Sequence, residues 1–271
     1  MKIATVGKGG SGKTTVVGTL TRILAEDGIK VLAIDGDPNP NLALTLGIPR
    51  DETHKIASIP TNVMTLRKDA DGNIFKGADG LSQLVMTVSQ EELIDRYATV
   101  APENIKMVMI GAPPDGSAGS GCMCASHRAV RGLITEMTDY GEHTVTDMEA
   151  GLEHLKRGTV ANVDMMLIVA EPYYRSLEAA SRVWSLAAEL KVPLVYVVAN
   201  KVRNDADLKA IEEYCEKHKM PILGIVPAEE KFMEAERQAL SPIDYAPDCP
   251  GTNSIREMAR KISKMDVPAR A

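Results

Sequence analysis

The chain has 271 residues with 44% hydrophobic content, enough to bury one large core, and its formal net charge is −6. A pI of about 5.5 argues against a broad electropositive face for DNA or for anionic membranes. No apolar run approaches the roughly 20 residues of a membrane-spanning helix, and the N-terminal MKIATVGKGG lacks a signal peptide's apolar region. We therefore expect one domain over residues 1–271 in the cytoplasm, with no nucleic-acid partner and no stable membrane association.

Short apolar runs alternate with amphipathic segments along the chain. Near-continuous apolar runs are typical of strands covered on both faces, and they predict strands at 2–6, 31–35, 105–111, 143–148, 164–171, 193–200 and 221–226. Apolar stripes predict helices between them, and these stripes are Val16, Val17, Leu20, Ile23 and Leu24; Leu81, Leu84, Val85 and Val88; Val130, Leu133, Ile134 and Met137; and Leu208, Ile211 and Cys215. The alternation predicts an α/β fold with a doubly wound, mostly parallel sheet flanked by helices.

Two further segments have distinctive compositions. The stretch RKDADGNIFKGADG at 67–80 is rich in turn residues and predicts a small hairpin or an exposed excursion. The last apolar stripe, from Ile255 to Met265, is flanked by basic residues, and a basic amphipathic helix can anchor a protein to a membrane. Because its apolar side is short and lacks Phe and Trp, we expect a helix docked on its own domain.

The segment GKGGSGKT at 7–14 matches the phosphate-binding pattern G-x-x-x-x-G-K-[ST] between a predicted strand and a predicted helix. In such a loop the backbone N–H groups converge on phosphate oxygens, Lys13 reaches the β- and γ-phosphates, and Thr14 offers its hydroxyl to Mg²⁺. A simple glycine turn at the junction would not need all four fixed residues. The expected nucleotide-binding residues here are Gly9, Gly10, Ser11, Gly12, Lys13, Thr14 and Thr15.

Lys8 is a second lysine within this loop, although the general pattern requires only Lys13. With Lys8 included, KGGSGKTT resembles the signature of the deviant Walker A ATPases, the family of the nitrogenase iron protein, MinD, ParA and the arsenite-pump ATPase. The resemblance implies that ATP is bound between two subunits of a homodimer and that Lys8 reaches the partner's nucleotide. Outside this context Lys8 would be read as a solvated loop charge.

Other parts of that family's site follow in order along the chain. DGDP after the second strand contains Asp37, which the resemblance assigns to orienting the attacking water. DMEAG contains Asp147, expected near the Mg²⁺ shell, and Gly151, while Asn200 matches the asparagine that reads the base. Asp and Asn at strand ends also serve as turn formers or helix caps. The resemblance implies a slow ATP hydrolysis that resets a conformational state, with catalytic residues Lys8, Lys13, Asp37 and Asp147.

The stretch GSGCMCASHR places Cys122 and Cys124 one residue apart in a loop of small residues. They could be packing residues, a redox pair or metal ligands; the polar loop disfavours packing, and a C-x-C disulfide is strained. Metal binding is favoured, and a two-fold homodimer would combine two such pairs into a four-thiolate site. His127 is a candidate third ligand or a first-turn helix residue, while Cys215 reads as a core residue.

KGGSGKTT, GSGCMCASHRAVRGLI and DMEAGLEHLKRGT together resemble the CooC-type ATPases that assist nickel insertion into carbon monoxide dehydrogenase and the related acetyl-CoA synthase. The resemblance implies that Cys122 and Cys124 of two subunits bind one Ni²⁺ or Zn²⁺, coupled to ATP. A MinD- or ParA-like positioning switch and an iron–sulfur reductase are the alternatives. The reductase is disfavoured because His154 stands near the position where the nitrogenase iron protein has its second cysteine.

Overall fold

The computed structural model describes residues 1–77, 80–110, 124–137 and 141–268, with Cys124 and Ala125 described only by their place in a helix. Seven strands coincide with the seven predicted ones to within two residues at each end. Four shorter strands, β3 to β6, were not predicted. The strands are β1 (Lys2–Gly7), β2 (Val31–Gly36), β3 (Ser58–Ile59), β4 (Met64–Leu66), β5 (Leu84–Met86), β6 (Thr99–Ala101), β7 (Ile105–Ile110), β8 (His143–Met148), β9 (Met165–Ala170), β10 (Leu194–Val202) and β11 (Ile222–Pro227).

The described strands other than β4 and β5 form one nine-stranded sheet in the order β11-β10-β9-β1-β8-β2-β7-β3, with β6 also paired to β7. All of these pairs are parallel except β6 with β7. Both β3 and β6 lie along the outer edge of β7, where they pair with different halves of that strand. The predicted doubly wound, mostly parallel sheet is therefore confirmed.

Helices cover both faces of this sheet. Of the four stripes predicted between strands, three lie in helices, which are α1, α5 and α8. The last predicted stripe lies in α11, and the long α7 was not predicted. The helices are α1 (Lys13–Glu26), α2 (Leu42–Thr45), α3 (Arg50–Thr53), α4 (Gln90–Tyr97), α5 (Cys124–Glu136), α6 (Glu153–Lys156), α7 (Tyr174–Glu189), α8 (Asp205–Lys217), α9 (Glu230–Arg237), α10 (Pro242–Tyr245) and α11 (Pro250–Ile262).

The prediction of a helix from Leu81, Leu84, Val85 and Val88 is wrong. This segment instead contains β5, which pairs antiparallel with β4 so that Leu66 faces Leu84. Two isolated antiparallel bridges join Lys68 to Ile74 and Lys76 to Ser82, which is the hairpin alternative of the two predicted for 67–80. The apolar spacing of this segment matches that of a helix only by coincidence. The backbone hydrogen bonds of β5 are made to β4, and Leu84 is buried.

Residue alternation within the strands builds two core layers. In β2, Leu32 and Ile34 belong to the layer on one face of the sheet, and Val31 and Ala33 belong to the layer on the other. Residues of α5, α7 and α8 contribute to the first layer, and residues of α1 and α11 to the second. Every residue of β2 is buried as a result, which explains why the strand begins with the apolar run VLAI.

The C-terminal helix α11 packs against β11 and α1, as expected for a helix docked on its own domain. Its buried side includes Ile255, Met258 and Ile262, while Arg260 and Lys261 lie in its last turn, where cations complement the helix dipole. Across the part of the chain that is described, no helix combines the length and the apolar character needed to cross a bilayer.

Candidate functional site

The phosphate-binding segment connects the carboxyl end of β1 to α1. The ends of β2, β8 and β10 meet at this same edge, so the chain regions that follow them lie beside the loop. In open α/β sheets ligands bind outside the carboxyl ends of the strands. Segments far apart in the sequence, around Asp37, Asp147 and Asn200, are thereby brought to one place.

Glycines permit the close approaches that shape the loop. Gly12 has φ +89° and lies against the amide group of Asn200, so a Cβ there would collide with it. A Cβ on Gly7 would lie 2.5 Å from the carbonyl oxygen of Val169. Lys13, in the first turn of α1, is only 6% exposed. The loop therefore holds its backbone close to β9 and β10.

Thr14 contacts Asp147 directly: its Oγ1 donates to Asp147 Oδ2 at 2.6 Å. The other carboxyl oxygen, Oδ1, is buried and has no hydrogen-bond partner among the described residues. Burial and then the charge of Asp35 raise the pKa of Asp147 to about 7, opposed by Thr14 and Lys13. Mg²⁺ prefers oxygen ligands and keeps several bound waters. The Thr14 hydroxyl and Oδ1 of Asp147 are oxygens of this kind, so these residues fit the Mg²⁺ that accompanies ATP.

Asp35 is a site residue that was not predicted. It lies in β2 in register with Asp147 of β8, and its carboxylate accepts hydrogen bonds from the backbone N–H groups of Leu42 and Asp37 at 2.9 and 3.2 Å. Burial raises its pKa to about 6. An acidic residue inside the apolar run VLAID was the available signal, since a buried carboxylate requires a partner.

Asp37, the predicted water-orienting residue, is half-buried at the start of the loop after β2. Its Oδ1 accepts a hydrogen bond from the backbone N–H of Asn39 at 2.9 Å, the geometry of an Asx turn. Asp37 thus shapes its own loop in this structure. Its role toward the attacking water stays a prediction.

Asn200 and Lys201, at the end of β10, hold the phosphate-binding loop from outside. Asn200 Nδ2 donates to the carbonyl oxygen of Ser11 at 2.7 Å, and Lys201 Nζ donates to that of Gly10 at 2.5 Å. Lys201 also pairs with Glu171 at 3.0 Å. Asn200 therefore braces the loop here, and base reading stays a prediction. Lys201 and Glu171 were not predicted; a lysine directly after the family asparagine was the only signal.

The segment from Asp147 to Gly151 contacts three parts of the molecule. Asp147 accepts the hydrogen bond from Thr14, and the backbone N–H of Gly151 donates to the carbonyl oxygen of Gly7 at 3.3 Å. Between them, Glu149 Oε2 lies 2.5 Å from Nε2 of His127, a buried residue of α5. The segment therefore joins the phosphate-binding loop to the helix that begins at Cys124.

A buried histidine, His154 of α6, lies beside His127 with ring centroids 6.2 Å apart. Its side chain is 1% exposed, and both ring nitrogens lack a hydrogen-bond partner among the described residues. Burial, and then the proximity of His127, lower the pKa of His154 to about 4, so it is neutral at pH 7. Neither this pair nor Glu149 was predicted as a cluster.

The predicted metal-binding cysteines lie at the edge of a range that the structure describes. Cys122 lies outside the described residues, and Cys124 is described only as the first residue of α5. No group of three or more His, Cys, Asp or Glu side chains within the described ranges could hold a metal ion. Cys215 is buried in the core as predicted, and Cys249, also buried, caps α11 by accepting a hydrogen bond from the backbone N–H of Thr252.

Comparison with known proteins identifies the class. The protein-family sequence model described as CobQ/CobB/MinD/ParA nucleotide binding domain matches residues 2–243 of this chain. The chain belongs to this family of P-loop ATPases, and it is an ATP-binding ATPase. Mg²⁺ and ATP agree with both the family and the Thr14–Asp147 geometry.

Individual relatives narrow the comparison. The chain is 34% identical over 250 residues to the carbon monoxide dehydrogenase accessory protein CooC of Rhodospirillum rubrum, covering 92% of each protein. It is 36% identical over 243 residues to an uncharacterized ATP-binding protein of Methanocaldococcus jannaschii, covering 87% of this chain and 88% of that protein. Its fold resembles that of the septum site-determining protein MinD from Pyrococcus horikoshii, solved with Mg-ADP, at a TM-score of 0.72 and 20% identity, covering 97% and 96% of the two chains.

Proposed function

We propose that this chain is an ATP-hydrolysing metallochaperone that works as a homodimer and assists nickel insertion into carbon monoxide dehydrogenase or acetyl-CoA synthase. The observation that carries the proposal is the C-x-C pair of the sequence, Cys122 and Cys124, in a chain similar along 92% of its length to CooC. A packing or redox role fits the pair less well, because the surrounding loop is polar and a C-x-C disulfide is strained.

At the ATP site, the chain's contribution is positioning and charge stabilisation. The loop amides of residues 9–12 and the buried Lys13 would bind the phosphates, and Asp147 would orient the Thr14 hydroxyl toward the Mg²⁺ that accompanies ATP. Asp37 would leave its turn to orient the attacking water. The exposed Lys8 would reach the nucleotide of the partner subunit, so that binding of ATP favours the closed dimer.

The metal in this proposal is cargo that the dimer binds and releases. One C-x-C pair offers two thiolates, whereas a closed tetrahedral site takes four ligands, so two copies of the pair would bind one Ni²⁺ or Zn²⁺. Such a site exists only in dimer states that bring both pairs together. By linkage, a nucleotide that favours those states also favours metal binding.

The proposal is tested by replacing both Cys122 and Cys124 with Ser. Metal content of dialysed, anaerobically purified protein is measured with Ni²⁺ and with Zn²⁺, and ATP binding is measured by titration calorimetry. We expect the variant to lose stoichiometric metal binding and to keep ATP binding, because the ATP site is formed by other residues.

Cys249→Ser is the matched control. Cys249 is buried and caps α11, and Ser is itself a good helix cap, so metal binding should stay intact. An unchanged metal stoichiometry in the double variant would contradict the proposal. Visible thiolate-to-iron absorption in the purified wild type would favour the iron–sulfur reductase instead.

A further inference from the structure

The contact between His127 and Glu149 connects two segments that the proposed function assigns to different tasks. His127 lies one turn after Cys124 on α5, and its ring is 6% exposed. Glu149 lies two residues after Asp147, and its Oε2 is 2.5 Å from His127 Nε2. The helix that carries the cysteine motif is thus held by a side chain adjacent to the nucleotide site.

The segment around Glu149 cannot move without disturbing the nucleotide loop. Asp147 is bonded to Thr14 on one side of Glu149, and the backbone N–H of Gly151 is bonded to Gly7 on the other. Ala150 also faces the loop, since a Cβ on Gly9 would lie 3.8 Å from the Cβ of Ala150. A shift of the nucleotide loop on ATP binding or hydrolysis would therefore displace Glu149.

The other end of the contact is also held in place. The His127 ring is enclosed by protein and lies beside the ring of His154, which is itself 1% exposed. Nδ1 of His127 has no hydrogen-bond partner among the described residues, so Glu149 is the polar contact that the described structure shows for this ring. Displacing Glu149 would therefore act on α5 through His127.

We propose that His127 and Glu149 are positioning residues that transmit the nucleotide state to the first turn of α5, and so to Cys124. The inference rests on the proposed function only for the metal-binding role of Cys124. The link between Glu149 and His127 does not itself depend on metal. Coupling of this kind is reciprocal, so metal bound at the start of α5 would alter nucleotide affinity by the same factor.

The link is tested in the full-length protein with Glu149→Ala. Hydrogen exchange of backbone amides in peptides covering α5 is compared with ADP and with a non-hydrolysable ATP analogue, both with Mg²⁺ and without added metal cargo. In the wild type we expect exchange in α5 to differ by roughly fivefold or more between the two nucleotides, the lower end of typical coupling between sites. Glu149→Ala should abolish that difference while nucleotide binding persists.

Two further variants separate the link from a general loss of structure. Glu153→Ala removes a neighbouring carboxylate that is 75% exposed and 4.0 Å from Lys156, and it should keep the wild-type response. Glu149→Gln keeps a side chain able to hydrogen-bond with imidazole and should restore part of the response. An α5 response in Glu149→Ala equal to that of the wild type, or no response in the wild type, would overturn the inference.

A second readout distinguishes this inference from the proposed function. Ni²⁺ affinity is measured by chelator competition with ADP and with the ATP analogue, in the wild type and in Glu149→Ala. Absence of Ni²⁺ and Zn²⁺ binding in the wild type contradicts the metallochaperone and leaves the link to be decided by hydrogen exchange. Equal nucleotide dependence of Ni²⁺ affinity in both proteins contradicts the link alone.

Discussion

At the residue scale, Lys8 and Lys13 have opposite environments although they belong to one loop. Lys8 is exposed at the sheet edge, whereas Lys13 is buried at the start of α1. A buried lysine must act within its own subunit, and an exposed one is free to reach another molecule. We therefore expect substitutions of Lys13 and of Lys8 to have separable effects, the first on ATP binding and the second on ATP hydrolysis.

Replacing Lys13 with Ala should weaken ATP binding by about 10- to 100-fold, the range for losing a hydrogen bond to a charged group. Lys8→Ala should keep binding but reduce hydrolysis by roughly 10³-fold, as for other cations supplied across an interface. Titration calorimetry and phosphate release measure the two quantities. Normal hydrolysis in Lys8→Ala would show that Lys8 is only a solvated charge.

His154 makes a pH-dependent contribution to stability. Because its pKa is about 4 in the folded protein and near 6.5 when unfolded, the unfolded state binds more protons between these values. Stability is therefore present above pH 6.5 and is lost as pH falls toward 4, by about 3 kcal/mol from this group. His154→Leu should remove that part of the pH dependence.

Urea unfolding between pH 4.5 and 7.5 measures this effect. The matched control is His54→Leu, because His54 is exposed and should leave the pH dependence unchanged. If His154→Leu lost stability toward acid as steeply as the wild type, the acid sensitivity would belong to other groups.

At the element scale, a buried cation ties α1 to distant parts of the chain. Arg22 of α1 is 3% exposed; it contacts Glu103 and donates to Asp244 of α10 at 2.8 Å and to the carbonyl oxygen of Leu46 at 3.0 Å. Its partners lie just after α2 (Leu46), between β6 and β7 (Glu103) and in α10 (Asp244). These contacts hold the C-terminal part of α1, whereas Lys13 lies at its N-terminal end in the nucleotide site.

Replacing Arg22 with Ala should lower the free energy of unfolding by about 3 kcal/mol, because it leaves acidic partners without their buried cation. Arg256→Ala is the control, since Arg256 pairs with Glu26 at 3.2 Å near the surface and should cost less than about 1 kcal/mol. Urea denaturation compares the two. Equal losses in both variants would mean that burial of the Arg22 cluster adds nothing.

At the scale of the whole molecule, the expectation of a single domain stays a prediction. Both core layers pack on the same sheet, so neither can form without the strands that the other needs. Trp184, the only tryptophan, lies in α7 against one layer, while far-UV circular dichroism reports on all elements. The two signals should change together in urea, and two separate transitions would contradict one cooperative domain.

Local patterns determined much of this structure and only part of its site. The seven mainly apolar strands and the loop from Gly7 to Thr14 were readable because burial on both faces and phosphate binding each impose local constraints. The short strands β3 to β6 were not readable, since two or three residues carry no periodicity. Leu81 to Val88 matched a helical spacing, and only pairing with β4 made its core a strand.

The same division holds for the site, where the sequence alone determined the ATPase family and tertiary structure decided the contacts. The P-loop, the paired cysteines and the order of Asp37, Asp147 and Asn200 were sufficient to predict an ATPase of this family. Adjacent strands in register brought Asp35 to Asp147, and packing of α5 brought His127 to Glu149. These contacts join residues 22 or more positions apart, and such pairing is set by sheet order and helix packing, which no short motif encodes.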